Sequence, residues 1–115
     1  MKTLTTQELH QLIDSKEDFV LINVLPESSF DEEHIPGSHN VPHQRETFTE
    51  EVRALAGGKL KKIVVYCASR KCDASPTAAM KLRKAGFTQV FDYEEGVAGW
   101  RAAGNEVESS ARATR

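Results

Sequence analysis

The sequence predicts an α/β domain with a central, mainly parallel sheet flanked by helices on both faces. Three observations lead there. Apolar, β-branched-rich runs at 19–25, 62–66 and 89–93 read as buried strands. The stretches between and after them carry helical spacing of apolar residues, and Gly or Pro punctuates most of the joints.

Thr5 and Glu8 have capping-box spacing, and Leu9, Leu12 and Ile13 form an apolar stripe behind them, which predicts a helix over 5–15. The run from Phe19 to Leu25 is broken only by Asn23 and suits a central parallel strand. Pro26 begins a polar stretch that predicts a short helix over 27–34. Ile35-Pro36-Gly37 ends it, and Asn40-Val41-Pro42 leaves room only for a short edge strand or extended segment. Phe48, Val52 and Leu55 place a helix over 46–56, stopped by Gly57-Gly58. Strand 62–66 follows. A helix over 76–85 lines Ala78, Ala79, Leu82 and Ala85 along one face and stops at Gly86. Strand 89–93 and a closing helix over 94–103 complete the fold, with Phe87 and Trp100 assigned to the core. Residues 106–115 are polar and aperiodic and are expected to fray, which gives one domain over 1–107 and a flexible C-terminal tail over 108–115.

A chain of 115 residues, 39% hydrophobic and 28% charged, suits one globular domain with its own core. A net charge of -2 gives no basis for a nucleic-acid or membrane partner. No apolar stretch reaches the roughly 20 residues that span a bilayer. Met1-Lys2-Thr3-Leu4 runs directly into a helix signal, so no secretory signal peptide is read. Two cysteines five positions apart do not make a disulfide framework, and a reducing, cytoplasmic setting is expected.

The chemistry concentrates at Cys67. It directly follows the buried strand Ile63-Val64-Val65-Tyr66, and Ser75-Pro76 opens the next helix with a preferred N-cap and a first-turn proline. In such sheets ligands bind beyond the carboxyl ends of the strands. Helix-start N–H groups and the cations Arg70 and Lys71 favour an anion, so the Cys67 thiol is expected to ionise readily. The bland alternative is a small buried hydrophobe; the helix start and the two cations favour the nucleophile. Asp73 reads as a helix-start residue whose charge would oppose a nearby thiolate. His34, His39 and His43 follow no zinc spacing with the cysteines.

Four segments, in order, resemble the rhodanese-like sulfurtransferase domains. Val20-Leu21-Ile22-Asn23-Val24 with Glu27 and Phe30 is similar to the family's first strand and turn. His34-Ile35-Pro36-Gly37-Ser38-His39-Asn40-Val41-Pro42 is similar to its best-known non-catalytic signature. Ile63-Val64-Val65-Tyr66-Cys67 resembles the strand that carries the active cysteine. Ala85-Gly86-Phe87, Gln89-Val90 and Glu95-Gly96-Val97-Ala98-Gly99-Trp100 resemble the C-terminal signature. Together they cover about residues 4 to 107.

The resemblance implies a sulfurtransferase. Cys67 would take sulfane sulfur from a small anionic donor (thiosulfate, a persulfide or a polysulfide) and hold it as a persulfide. It would then pass that sulfur to cyanide or to a small-molecule or protein thiol. The loop Ala68, Ser69, Arg70, Lys71, Cys72 and Asp73 would surround the sulfur and bind the donor, with backbone N–H groups stabilising both thiolate and persulfide. No cofactor and no metal is called for.

Cys72 is either an incidental loop residue or a resolving thiol that attacks a modified Cys67, which leaves a dithiol redox switch or a non-enzymatic sulfur carrier as the alternative function. The chain departs from the family pattern at Asn23, where Asp is common and braces the active loop, and at Leu25, where Arg is common. Its loop also lacks the usual glycine. Cell-cycle-type phosphatases and arsenate reductases use a similar loop but need an Arg six positions after the cysteine. Here that position is Asp73, which would repel phosphate.

Overall fold

The computed structural model describes residues 2–110. It contains one five-stranded sheet in the order β1-β5-β4-β2-β3, with every neighbouring pair parallel. The strands are β1 (Lys2–Leu4), β2 (Phe19–Asn23), β3 (His39–Asn40), β4 (Lys62–Tyr66) and β5 (Val90–Tyr93). The helices are α1 (Thr6–Asp14), α2 (Glu27–Glu32), α3 (Phe48–Ala56), α4 (Ala74–Lys84) and α5 (Gly96–Ala102).

Side-chain alternation along the central strands divides the core in two. Val20 and Ile22 of β2, with Ile63 and Val65 of β4, pack on Phe48 and Val52 of α3 and on Ala78, Ala79 and Leu82 of α4. Leu21, Val64 and Tyr66 point to the other face and meet Leu9 of α1 with Val97 and Trp100 of α5. Both faces of β2 and β4 are therefore dry, which explains why their sequences read as continuous apolar runs. Phe87 and Trp100 are buried as expected.

Local chemistry sets most of the ends. The Thr5 hydroxyl accepts from the Glu8 N–H at 3.1 Å, and the Glu8 carboxylate accepts from the Thr5 N–H at 2.9 Å, closing the predicted capping box. Gly57 caps α3 at φ 74°, a left-handed conformation that stops the helix.

Several expectations are corrected. β1 was missed, because three residues carry no readable alternation; it pairs with β5 through Lys2, Thr3 and Leu4. α4 begins at Ala74, so Ser75 lies inside the first turn rather than at the cap, and Asp73 takes the cap position without a side-chain bond. α5 begins at Gly96, because Glu94-Glu95 forms the turn out of β5. The segment expected to fray begins with backbone pairing. Glu108 exchanges two backbone bonds with His34, at 2.8 and 2.9 Å, and the Ser110 N–H donates to the Asp31 carbonyl at 2.8 Å. Residues 111–115 lie outside the described residues.

The Tyr66 hydroxyl ties the end of β4 to the segment after α2. It accepts the Ile35 N–H at 3.0 Å in a buried setting and lies 2.8 Å from the hydroxyl of the half-buried Ser38. Tyr66→Phe strands that buried N–H and is expected to cost about 1–3 kcal/mol. A urea midpoint equal to that of the wild type would contradict this.

Candidate active site

β4 ends at Tyr66, and the next residue, Cys67, starts a seven-residue loop that enters α4. The carbonyls at the start of this loop are held from α5: the Val97 N–H donates to Cys67 O at 3.0 Å and the Ala98 N–H to Ala68 O at 2.9 Å. This close approach depends on Gly96. A Cβ there would sit 2.5 Å from Cys67 O and 2.6 Å from Ser69 N, and φ is +67°. The segment Glu95 to Trp100 therefore positions the cysteine loop.

Cys67 is only 1% exposed. Its sulfur lies 3.5 Å from the Ser75 hydroxyl, 3.6 Å from the Cys72 carbonyl and 3.9 Å from the Ser69 carbonyl. Burial is the main influence and pushes the thiol up, and the neighbouring Cys72 thiol pushes it further. The hydroxyl and backbone N–H of Ser75, in the first turn of α4, act in the opposite direction. The expectation of a readily ionised thiol is thus corrected for this geometry: the helix-start amide is present, but desolvation outweighs it.

The loop residues divide between internal structure and the surface. The Lys71 N–H donates to the Ser69 hydroxyl at 3.3 Å and the Cys72 N–H to the Ser69 carbonyl at 3.1 Å, so two of the expected anion-binding amides are engaged within the loop. Arg70 is exposed but committed to Glu95 at 2.8 Å, with Glu94 at 4.0 Å. Lys71 is exposed and, among the described residues, forms no ion pair. Cys72 is half-buried and packs against the core. Asp73 is exposed at the helix start. Asn23 is fully buried; its side-chain oxygen accepts the Leu25 N–H at 2.9 Å, which braces the exit from its own strand rather than the cysteine loop.

Two residues that sequence reasoning passed over belong to this site. Ser75 was read as a helix cap, yet it is 1% exposed and faces the Cys67 sulfur. Asp92, 1% exposed on β5, lies beside the Ser75 hydroxyl. A carboxylate within an otherwise buried parallel strand was the available signal. A cleft of about 180 Å³ opens between Arg70, Cys72 and Asp73 of the loop, Ser75 of α4, and Asp92 and Glu94. Cys67 does not line this cleft, but two residues that do, Cys72 and Ser75, lie against its sulfur.

His34 is buried, stacked on Phe30 at 3.8 Å between ring centroids, and bonded through Nδ1 to the Phe30 carbonyl at 2.7 Å. Among the described residues, no three His, Cys, Asp or Glu side chains gather closely enough to share a metal ion. No described helix is long and apolar enough to cross a membrane.

Comparison with known proteins agrees with this architecture. The chain is 37% identical over 106 residues to the uncharacterized protein YibN of Escherichia coli, covering 87% of this chain and 67% of that protein. It is 31% identical over 94 residues to an HTH-type transcriptional regulator of Mycobacterium tuberculosis, Rv0324, of which it spans only 39%. Among solved structures, the BH2092 protein of Bacillus halodurans superposes with a TM-score of 0.84 at 25% identity, over 95% of this chain and 77% of that one. A thiosulfate sulfurtransferase of Pseudomonas aeruginosa shares the fold with a TM-score of 0.85 at 24% identity, over 96% of this chain and 20% of that one. The model of the rhodanese-like domain matches residues 5–103, nearly the whole described chain, and the protein belongs to that family.

Proposed function

We propose that this protein is a sulfurtransferase that carries sulfane sulfur as a persulfide on Cys67. The observation that supports this most directly is the placement of the thiol, at the carboxyl end of β4 and against the hydroxyl and amide of Ser75 in the first turn of α4. The thiolate bonds to the outer sulfur of a donor, and the donor's S–S bond breaks with its electron pair leaving on sulfite or a thiolate. An acceptor such as cyanide or a thiol then attacks the outer sulfur, and Cys67 departs as thiolate.

The charge of the cleft bears on the donor. Asp73, Asp92 and Glu94 line it, while Arg70 is already paired with Glu95. That surface repels a compact dianion more than a donor whose charges are spread over a larger molecule, so among small anionic donors we favour a low-molecular-weight thiol persulfide over thiosulfate. The acceptor is cyanide or a thiol, the latter free or on a partner protein. The test is a turnover assay that follows hydrogen sulfide from glutathione persulfide with excess thiol, and thiocyanate from thiosulfate with cyanide. Turnover with the persulfide donor is expected to be the faster. Absence of turnover with both would overturn the reading.

A second reading, a dithiol switch, is favoured by one observation, the placement of Cys72 against Cys67, whose sulfur lies 3.6 Å from the Cys72 carbonyl. Cys72 attacking the inner sulfur of the persulfide would yield a Cys67–Cys72 disulfide and release hydrogen sulfide, with no further oxidant. Because Cys72 raises the Cys67 thiol, Cys72→Ala is expected to move the 240 nm thiolate titration of Cys67 to lower pH. An unchanged midpoint would show that the two thiols do not interact.

A further inference from the structure

Sulfur transfer needs the thiolate, yet burial and Cys72 push the Cys67 thiol above its ordinary value and so oppose its ionisation. Some group must take its proton during the reaction. Arg70 and Lys71 are cations and cannot, and among the described residues no histidine lines the cleft beside Ser75. The one polar side chain against the sulfur with a further acceptor beside it is Ser75. Its hydroxyl lies 3.5 Å from Sγ, and Ser75 lines one cleft together with the Asp92 carboxyl, which it influences.

Asp92 is placed there by the sheet. It pairs in register with Val65 of β4, two residues before Cys67, and Val65 and Cys67 share one core face with α4. Its carboxyl is 1% exposed, and Oδ1 has no hydrogen-bond partner. A buried carboxylate with an unpartnered oxygen is a costly feature that calls for a reason. Burial, reinforced by Glu94, pushes this carboxyl up and makes it a better base than a surface carboxylate; the Ser75 hydroxyl acts against that rise. The other titratable or charged groups near it are Arg70, Cys72 and Asp73 of the loop, and Cys67 against Ser75. Its register partners, Thr3 on β1 and Val65 on β4, carry none.

We propose that Ser75 and Asp92 form a proton relay that activates Cys67. As Sγ bonds the outer sulfur of the donor, its proton passes to Ser75 Oγ while the Ser75 hydroxyl proton passes to the Asp92 carboxylate. The electron pair of the breaking S–S bond leaves on sulfite or the donor thiolate. In the second half-reaction the acceptor takes the outer sulfur, Cys67 leaves with the bonding pair, and the proton returns from Asp92 through Ser75. Each cycle restores Cys67 as thiol and Asp92 as carboxylate. The relay rests on the sulfurtransferase reading above.

The test is the single-turnover transfer of sulfur to Cys67, followed as glutathione released from glutathione persulfide and as sulfite released from thiosulfate, measured against pH for the wild type, Asp92→Asn, Ser75→Ala and Ser75→Thr, with thermal unfolding as a check on folding. Asp92→Asn and Ser75→Ala are expected to fall by roughly 10²-fold near neutrality. That deficit should close by about tenfold per pH unit as bulk hydroxide takes over ionisation of the thiol. Ser75→Thr, which keeps the hydroxyl, should retain most of the rate. A wild-type rate and pH profile in Asp92→Asn would overturn the relay, as would a deficit that stays constant with pH. If Asp92→Asn fails to fold, the serine pair decides, and equal rates for the Ala and Thr variants would overturn it. A wild type that releases no sulfite and gains no sulfur from any donor would instead overturn the sulfurtransferase reading itself.

Discussion

Cys67→Ser is expected to lower sulfur transfer by on the order of 10⁴–10⁶-fold, the range seen when a covalent nucleophile is removed. The replacement is nearly isosteric, so the effect should be chemical rather than structural. The site already offers an oxygen-centred donor its partners, with the Ser75 hydroxyl and the Cys72 carbonyl both against the present sulfur. The stability of the variant should therefore stay close to that of the wild type, while a serine hydroxyl can neither form a persulfide nor leave as a weakly basic anion. The check is turnover with glutathione persulfide together with a urea midpoint. Residual turnover within tenfold of the wild type would move the chemistry away from Cys67.

Gly96→Ala is expected to be the most damaging single change outside the loop. Two costs add. A non-glycine residue at φ +67° pays roughly 1–2 kcal/mol. The new methyl group meets backbone rather than a flexible side chain, 2.5 Å from Cys67 O and 2.7 Å from Ala68 C, and overpacking of this kind costs about 1–3 kcal/mol. Together they give roughly 3 kcal/mol of lost stability. Relief can come only by moving the loop away from α5, which breaks the bonds from the Val97 and Ala98 N–H groups and shifts Sγ relative to Ser75. A displacement near 1 Å is worth about 10²-fold in rate. Gly37→Ala is the control. It also sits at positive φ, +85°, but nothing lies within 4 Å of the added carbon, so only the strain cost applies. Equal losses in the two variants would show that collision with the cysteine loop is not the cause.

The parts of the fold that could be read from the sequence are those whose cause is local. β4 announces itself because both its faces are buried, and the Thr5–Glu8 cap carries its whole mechanism within four residues. Cys67 was legible for the same reason: a strand, a short loop and a helix start are all visible in one stretch of sequence. What escaped depends on partners far along the chain. Arg70 reads as a free cation until Glu95, 25 residues later, is brought against it. Ser75 reads as a cap until β4 and β5 bring Cys67 and Asp92 beside it. Sequence also favoured an ionised thiol because helix starts are visible in it and desolvation is not; the structure reverses that balance. β1 and the Glu108–His34 pairing are too short to leave a periodic signal.

The most direct measurement is the intact mass of the protein after incubation with glutathione persulfide or thiosulfate and removal of the small molecules. The account predicts a gain of about 32 Da, one sulfur atom, that is reversed by a thiol acceptor and absent from Cys67→Ser. No gain with either donor, or the same gain in Cys67→Ser, would contradict it.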